Sequence, residues 1–187
     1  MLYHIFSLLL EIAVGLLSGA CLLRLYMQHQ RIPMSARSGN PLGRFVFALT
    51  DWIVLPLRRV VPSMGAVDTA SLLAAYLLQL FQFAVLWLLA VGAGGLFAVP
   101  ILAAFGLVRT ALSGITGMVI VYAVLSWVSV QSSIADVLDR LVAPLLNPIR
   151  KVLPLVGGVD LSPLALLVLV QIAGIVLGNL QAGALLL

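Results

Sequence analysis

Two stretches of the chain, 92 positions apart, carry the same set of charged and conformationally special residues. Each has a pair of cations, two prolines, a glycine and an acid, and each leads into a long apolar run. Guanidinium and ammonium groups bind phosphate or carboxylate, whereas a carboxylate binds a cation or caps a helix. This pattern therefore indicates binding chemistry. The candidate residues are Arg58, Arg59, Pro62, Gly65 and Asp68 in the first copy, and Arg150, Lys151, Pro154, Gly157, Gly158, Asp160 and Ser162 in the second.

The duplicated stretch allows two interpretations. In the first, each copy is a membrane-surface anchor, followed by a turn and by an acid that caps the next helix. In the second, the two copies meet around a pseudo-symmetry axis and form one polar site for an ion, a lipid headgroup or a partner. In that site Arg58 and Asp68 would lie beside Arg150 and Asp160.

Four further polar residues lie inside apolar runs, where an ionisable or amide group is a candidate site. Gln79 and Gln171 are related by the same 92-residue offset. They would either hydrogen-bond each other as packing contacts or line a conduction path. Glu11 would be a site, or a protonated or bundle-facing side chain. Arg109 would begin a span and extend its side chain to the headgroups.

The sequence contains no pattern typical of an enzyme active site, a cofactor site or a metal site. His4 and His29 flank one apolar run, so they lie too far apart to bind one metal ion. Cys21 is the single cysteine, which excludes an internal disulfide and a multi-cysteine metal cluster. We therefore expect a protein without catalytic activity, cofactor or metal.

The composition places these residues in a membrane protein. The chain of 187 residues is 63% hydrophobic and 9% charged, whereas soluble domains carry about 25% charged residues. Its net charge of +4 comes from cations that flank apolar runs. These cations are expected to meet anionic lipid headgroups, so no direct binding of nucleic acid is predicted.

Runs of about 20 apolar residues are long enough to cross a bilayer as helices. The sequence predicts an all-α membrane protein with two parallel helix–loop–helix repeats, and with an amphipathic interfacial helix in each polar loop. Proline is expected to break these amphipathic helices. Residues 93–108 form a connector, interpreted as a short interfacial or re-entrant piece. The repeats are assigned to 1–92 and 109–187, and the spans to about 2–26, 69–91, 109–128 and 161–185.

The distribution of cations predicts the orientation. The segments 24–59 and 140–151 hold nine of the ten lysines and arginines. Because cytoplasmic loops are enriched in these residues, the loops 28–67 and 129–160 are expected in the cytoplasm and both termini in the periplasm. The predicted location is the bacterial inner membrane.

The repeated motif resembles the YggT (YlmG) family of bacterial and plastid membrane proteins, in its two-repeat proteobacterial form. The resemblance covers nearly the whole chain. It rests on the two Pro-x-Arg-[Arg/Lys]-x-x-Pro-x-x-Gly-x-x-Asp stretches, on Asn40-Pro41, on Leu125-Ser-Trp127-Val and on the run from Gly157 to Pro163.

The resemblance implies two classes of function and no catalytic residue. The leading hypothesis is support of ion homeostasis, with potassium as one candidate, or of osmotic homeostasis, directly or by modulating a transporter. The alternative is a membrane scaffold or assembly factor that binds lipid and partner proteins, in division-site or nucleoid organisation or in cytochrome assembly. Expected partners are the bilayer, its anionic headgroups and either a second copy or another membrane protein.

Overall fold

The computed structural model describes residues 1–34, 40–61, 68–89, 95–128, 132–153 and 160–184. Six helices and no strand lie within these ranges. The predicted all-helical fold is confirmed. The helices are α1 (Leu2–His29), α2 (Pro41–Val60), α3 (Thr69–Leu89), α4 (Ala98–Val128), α5 (Ser133–Arg150) and α6 (Ser162–Ala184).

Four of the helices, α1, α3, α4 and α6, are long and apolar enough to cross a membrane. The shortest of them, α3, has 21 residues, and about 20 residues suffice to cross the hydrocarbon core. Most of their apolar surface stays exposed in the isolated chain, especially on α6. Such a surface is stable only against lipid or another apolar partner, so this is a membrane protein.

The observed helix α4 is longer than the span predicted from its sequence. A connector over 93–108 and a span beginning at Arg109 were predicted, but the structure has one continuous helix from Ala98 to Val128. Pro100 lies in the first turn, where the backbone N–H has no partner within the helix anyway. Proline therefore starts this helix without breaking it, and Arg109 lies inside the helix.

Helices α2 and α5 are the two predicted amphipathic helices, and each begins at a polar cap. The side chain of Asn40 accepts a hydrogen bond from the Gly43 backbone N–H at 3.2 Å. Ser132 accepts one from the Ala135 N–H, also at 3.2 Å. Each cap satisfies a backbone donor that the first helical turn leaves free.

The prediction that proline ends these amphipathic helices is wrong. Pro56 lies inside α2, and Pro144 and Pro148 lie inside α5. All three prolines are exposed, as are Trp52 and Arg140, which lie four residues before Pro56 and Pro144. The carbonyl groups that lose their helical donors therefore face the surroundings, where water or headgroups can satisfy them.

The helices pack as two sets of three that are joined by α4. Helices α1, α2 and α3 pack together, as do α4, α5 and α6, while α4 also lies against α3 and α1, and α2 touches α5. Residues 92 positions apart are buried in both sets, including Val54 with Leu146 and Met27 with Val119. The same sequence positions thus form the core in each set.

Candidate functional site

Arg24 is a buried cation at the junction of the first three helices. Its side chain is 2% exposed. Its guanidinium donates to Thr50 Oγ1 and to Asp51 Oδ1 on α2, each at 2.7 Å, and it lies over the Phe47 ring at 4.6 Å. Its Nε atom is 3.9 Å from the Asp68 carboxylate at the start of α3. One side chain therefore connects α1, α2 and α3.

Asp68 accepts hydrogen bonds from groups on all three of these helices. Arg58, in the last turn of α2, donates to Asp68 Oδ2 at 2.5 Å, and Ser71 Oγ donates to the same oxygen at 2.6 Å. With its amide oriented to satisfy both neighbours, Gln28 on α1 donates to that oxygen at 2.8 Å and accepts from Arg58 at 2.7 Å. The carboxylate, 1% exposed, is held by several donors in a nearly dry environment.

The second repeat contains the same ion pair with fewer supporting groups. Arg150, in the last turn of α5, donates from Nε to Asp160 Oδ2 at 2.9 Å, and its NH2 group donates to the Tyr122 hydroxyl at 2.9 Å. Asp160 Oδ1 accepts from the Ser162 backbone N–H at 2.9 Å, which caps α6. Thr116 stands 92 residues after Arg24, so the second repeat lacks the central cation.

Both aspartates have a pKa below the usual range for that residue. Burial alone would raise the pKa of Asp68, but hydrogen bonds from Arg58 and Ser71 and the charge of Arg58 outweigh this effect. Burial likewise raises the pKa of Asp160, while hydrogen bonds from Ser162 and Arg150 lower it further than burial raises it. Both groups are therefore charged at neutral pH.

In each copy of the motif, the arginine forms an ion pair with the aspartate of the same copy. Arg58 pairs with Asp68, and Arg150 pairs with Asp160. Within the described part of the chain, no hydrogen bond or ion pair joins one of these pairs to the other. The interpretation in which all four form one site is therefore not supported by the geometry. Arg59 and Lys151 are exposed, while Pro62, Gly65, Pro154, Gly157 and Gly158 lie outside the described residues.

Gln79 and Gln171 are not bonded to each other either. The Gln79 amide donates to Ser18 Oγ at 3.1 Å and to Thr110 Oγ1 at 3.0 Å, so it connects α3 to α1 and α4. Gly106 on α4 faces this amide so closely that a Cβ there would lie 2.6 Å from Gln79 Oε1. Gln79 is thus a packing contact, whereas Gln171 is exposed on α6.

Glu11 and Arg109 both lie on exposed surfaces of spanning helices. Glu11 is exposed on α1, so the bundle-facing interpretation of this acid is wrong. Arg109 donates to Gln181 Oε1 at 2.8 Å across to α6. Neither side chain forms an ion pair with another described residue.

Helices α2 and α5 present different outer faces. Phe45, Trp52 and Leu55 on α2 are each at least half exposed, and the exposed Arg44 and Arg59 lie near the two ends of that helix. The outer face of α5 carries mostly polar groups, among them Asp136, Asp139, Arg140 and Asn147.

Sequence reasoning missed the residues that complete each ion pair. Arg24 was not among the candidate site residues, although a cation inside an apolar run predicts an acidic partner. Thr50, Asp51 and Gln28 gave no comparable signal, because their partners are distant in sequence. Tyr122 was likewise undetectable, since its hydroxyl reaches Arg150 only after α4 and α5 have packed.

A family model described as CCB3/YggT matches residues 3–89 and 101–181. The chain belongs to the CCB3/YggT family. The two matched ranges include α1 to α3 and nearly all of α4 to α6. The family resemblance read from the repeated motif is confirmed.

Relatives of this CCB3/YggT chain are found in several bacteria. It is 38% identical over 170 residues to the protein named "Uncharacterized protein YggT" of Escherichia coli (strain K12), covering 89% of this chain and 85% of that protein. It is 33% identical over 177 residues to an uncharacterized protein of Vibrio alginolyticus, covering 93% and 94%. An uncharacterized protein of Pseudomonas aeruginosa is 37% identical over 148 residues, covering 76% and 75%. No solved structure matches the chain.

Proposed function

We propose that this protein is a membrane scaffold that anchors one amphipathic helix, α2, in the lipid interface and presents the other, α5, to a partner protein. The observation that carries the proposal is the contrast between the two outer faces. At positions 92 residues apart, α2 carries Arg44, Trp52 and Leu55 where α5 carries Asp136, Pro144 and Asn147.

The outer face of α2 has the composition of a lipid-facing interfacial helix. Exposed aromatic and aliphatic side chains enter the boundary between headgroups and acyl chains, where tryptophan is enriched. Arg44 and Arg59 add attraction to anionic headgroups of about 1 kcal/mol each. The helix is also fixed in place, because Arg58 and Asp51 bind it to α3 and α1.

The outer face of α5 favours a protein partner in water. Its exposed Asp136 and Asp139 outnumber Arg140 on the same face, so anionic lipid would repel the face and it would turn away from the bilayer surface. Leu141, Val142 and Leu146 occupy the opposite face and are fully buried against the spans. The Arg150–Asp160 pair holds the end of α5 at the start of α6, so the polar face has a fixed orientation.

The polar groups at membrane depth do not favour conduction through one chain. Gln79 is bonded between three helices, and Asp68 is enclosed by its own donors. Gln171 and Arg109 line a cleft between α4 and α6 that is open to the surroundings, and Glu11 is exposed on α1. These groups therefore do not line one enclosed path through the chain.

The proposal includes a location in the bacterial inner membrane with α2 and α5 in the cytoplasm. The supporting observation is that four of the six exposed cations among the described residues, Arg44, Arg59, Arg140 and Lys151, belong to or directly follow these two helices. Cytoplasmic segments are enriched in such residues.

Site-specific photo-crosslinking in intact membranes tests the scaffold role. A photoreactive residue at Trp52 should form adducts with phospholipid, and one at Asn147 should form an adduct with one defined protein. Asp136→Lys with Asp139→Lys should abolish the protein adduct, while Arg59→Gln should leave it unchanged. Protein adducts at Trp52, or only lipid adducts at Asn147, would contradict the proposal.

A second candidate is support of ion or osmotic homeostasis, with potassium as the ion. The observation that favours it is Glu11, an acid on the exposed face of a spanning helix without an ion-pair partner among the described residues. An ionised carboxylate is costly in lipid unless it is protonated, solvated or paired with a cation, so an acid in a spanning helix is a candidate ion site. Potassium flux into liposomes that contain the pure protein should exceed that of empty vesicles and should fall with Glu11→Gln. Equal flux with and without protein would exclude direct transport.

A further inference from the structure

An open cleft lies between α4 and α6, away from the ion pairs and from the outer faces of α2 and α5. Its volume is about 300 Å³. One wall comes from α4 and the other from α6, two helices long enough to span the membrane. The lining residues that matter here are Arg109, Leu112, Ser113, Gln171, Gly174 and Leu177.

Arg109 gives this cleft a positive charge that the described residues do not neutralise. The guanidinium donates to Gln181, in the last turn of α6, at 2.8 Å. The acids in the ion pairs of this structure are Asp51, Asp68 and Asp160, and each is paired with an arginine other than Arg109. A cation in a spanning helix is costly without a counter-charge, so an external anion would stabilise it.

Beyond Arg109, the cleft offers neutral hydrogen-bonding groups and then apolar walls. Ser113 lies one turn further along α4, and Gln171 lines the same cleft from α6. Leu112 and Leu177 provide apolar surface. A Cβ at Gly174 would meet no atom within 4 Å, so space remains beside the backbone. A charged end, a polar middle and an apolar wall match an anionic amphiphile.

The corresponding place in the first repeat is already filled. Gln79, 92 residues before Gln171, is 3% exposed and bonded to Ser18 and Thr110. Leu17 stands where the second repeat has Arg109. In the first repeat, α4 packs over the region around Gln79. In the second repeat, the region around Gln171 stays open and carries the cation Arg109. The open cleft is therefore a feature of the second repeat.

We propose that the α4–α6 cleft binds one anionic phospholipid. The lipid phosphate would bind Arg109 at the level of the last turn of α6, and the glycerol ester region would accept a hydrogen bond from Ser113. An acyl chain would lie along Leu112 and Leu177 beside Gly174. This site does not depend on the scaffold role, because the cleft lies apart from the faces of α2 and α5 used there.

Native mass spectrometry of the delipidated protein with phosphatidylglycerol tests this site. One lipid should bind saturably, and Arg109→Gln should weaken that binding about tenfold or more, as expected for the loss of a charge-assisted contact. Arg109→Lys should retain part of the lipid affinity, because lysine keeps the positive charge but lacks the planar guanidinium that binds phosphate through two hydrogen bonds. Arg31→Gln removes an exposed positive charge outside the cleft and should leave this single site unchanged.

Competition by other lipids and the oligomeric state distinguish a bound phospholipid from a soluble phosphate and from a second copy of the chain. Phosphatidylcholine, whose phosphate charge is offset by its choline group, should compete only weakly, and glycerol phosphate without acyl chains should compete at least tenfold less well than phosphatidylglycerol. Equal competition by glycerol phosphate would overturn the lipid assignment in favour of a soluble phosphate. A dimer that is lost on Arg109→Gln would assign the cleft to a second copy, and unchanged lipid binding in that variant would also overturn the proposal.

Discussion

At the scale of single residues, the charged groups around Asp68 explain how three helices are held together. Arg24 and Asp68 are almost fully buried, and their partners come from α1, α2 and α3. Buried charges of this kind are costly if one partner is removed, because the remaining charge stays in a medium of low polarity. Removing one partner is therefore expected to destabilise the packing of α1, α2 and α3.

Replacing Arg24 should destabilise the fold severely. Arg24→Met leaves Thr50, Asp51 and Asp68 without this donor, so we expect a loss of about 3 kcal/mol in the free energy of unfolding. Arg59→Met removes an exposed arginine and should change stability by about 0.5 kcal/mol or less. Unfolding in mixed micelles measures both values. Equal losses in the two variants would show that burial of Arg24 does not matter.

The low pKa values of Asp68 and Asp160 predict a loss of stability in acid. A carboxyl with a folded-state pKa below its unfolded value of about 3.9 stabilises the fold fully above that value. That contribution is lost as the pH falls from there through the lower folded-state pKa. The melting temperature should therefore drop steeply in this acidic range.

Asparagine variants identify the groups responsible for this acid transition. Asp68→Asn with Asp160→Asn should lower stability at neutral pH and flatten its decline in acid. Asp139→Asn, at an exposed position on α5, provides the control and should keep the transition. A decline that stays equally steep in the double variant would assign the acid sensitivity to other groups.

At the scale of helices, α4 depends on one glycine for its place against α3. A Cβ at Gly106 would lie 2.6 Å from Gln79 Oε1 and 2.7 Å from Phe83 Cε2. The Gln79 side chain cannot simply rotate away, because its amide is bonded to Ser18 and Thr110. The close approach of these two helices therefore requires glycine at this position.

Two alanine substitutions in the same helix test that requirement. Gly106→Ala should destabilise the protein by about 1–3 kcal/mol through overpacking. Gly114→Ala meets no atom within 4 Å and should be neutral, or stabilising by up to about 1 kcal/mol through higher helix propensity. Thermal unfolding in detergent compares them, and a Gly106→Ala variant as stable as Gly114→Ala would contradict the packing argument.

The sequence predicts the helices better than their ends. The length of the apolar runs identifies all four spans, and the spacing of polar residues identifies α2 and α5. Pro56 and Pro148 were expected to break these helices but lie inside them, because the cost of a helical proline depends on whether the freed carbonyl group faces outwards. The spacing of ten residues in Arg58–Asp68 and Arg150–Asp160 is visible in the repeat, but the partners of Arg24 depend on tertiary packing.

At the scale of the whole molecule, the two repeats are alike in their buried positions and different on their surfaces. Val54 and Leu146 are both fully buried, whereas Arg44 has Asp136 as its counterpart and Leu17 has Arg109. The shared core preserves the arrangement of three helices. Under the two proposals, α2 of the first repeat and the α4–α6 cleft of the second would bind lipid, while α5 would bind a partner protein.

Cysteine labelling tests the orientation proposed for the whole chain. Cys21 is fully buried, so Cys21→Ala, which adds no buried polar group, should be tolerated as a background. An impermeant maleimide should then label Phe97→Cys, at an exposed position before α4, in intact cells. Arg59→Cys and Lys151→Cys should react only after the membrane is opened. Labelling of Arg59→Cys in intact cells would reverse the orientation.

The hydrogen bond from the Tyr26 hydroxyl to the Leu141 carbonyl, 2.8 Å long, joins a spanning helix of the first repeat to the amphipathic helix of the second. Met27 and Leu141 are buried in one shared cluster beside it. Force applied to the outer face of α5 is therefore carried into α1 through a short, polar link. A force on α5 is therefore resisted by contacts with both repeats, and not by the Arg150–Asp160 ion pair alone.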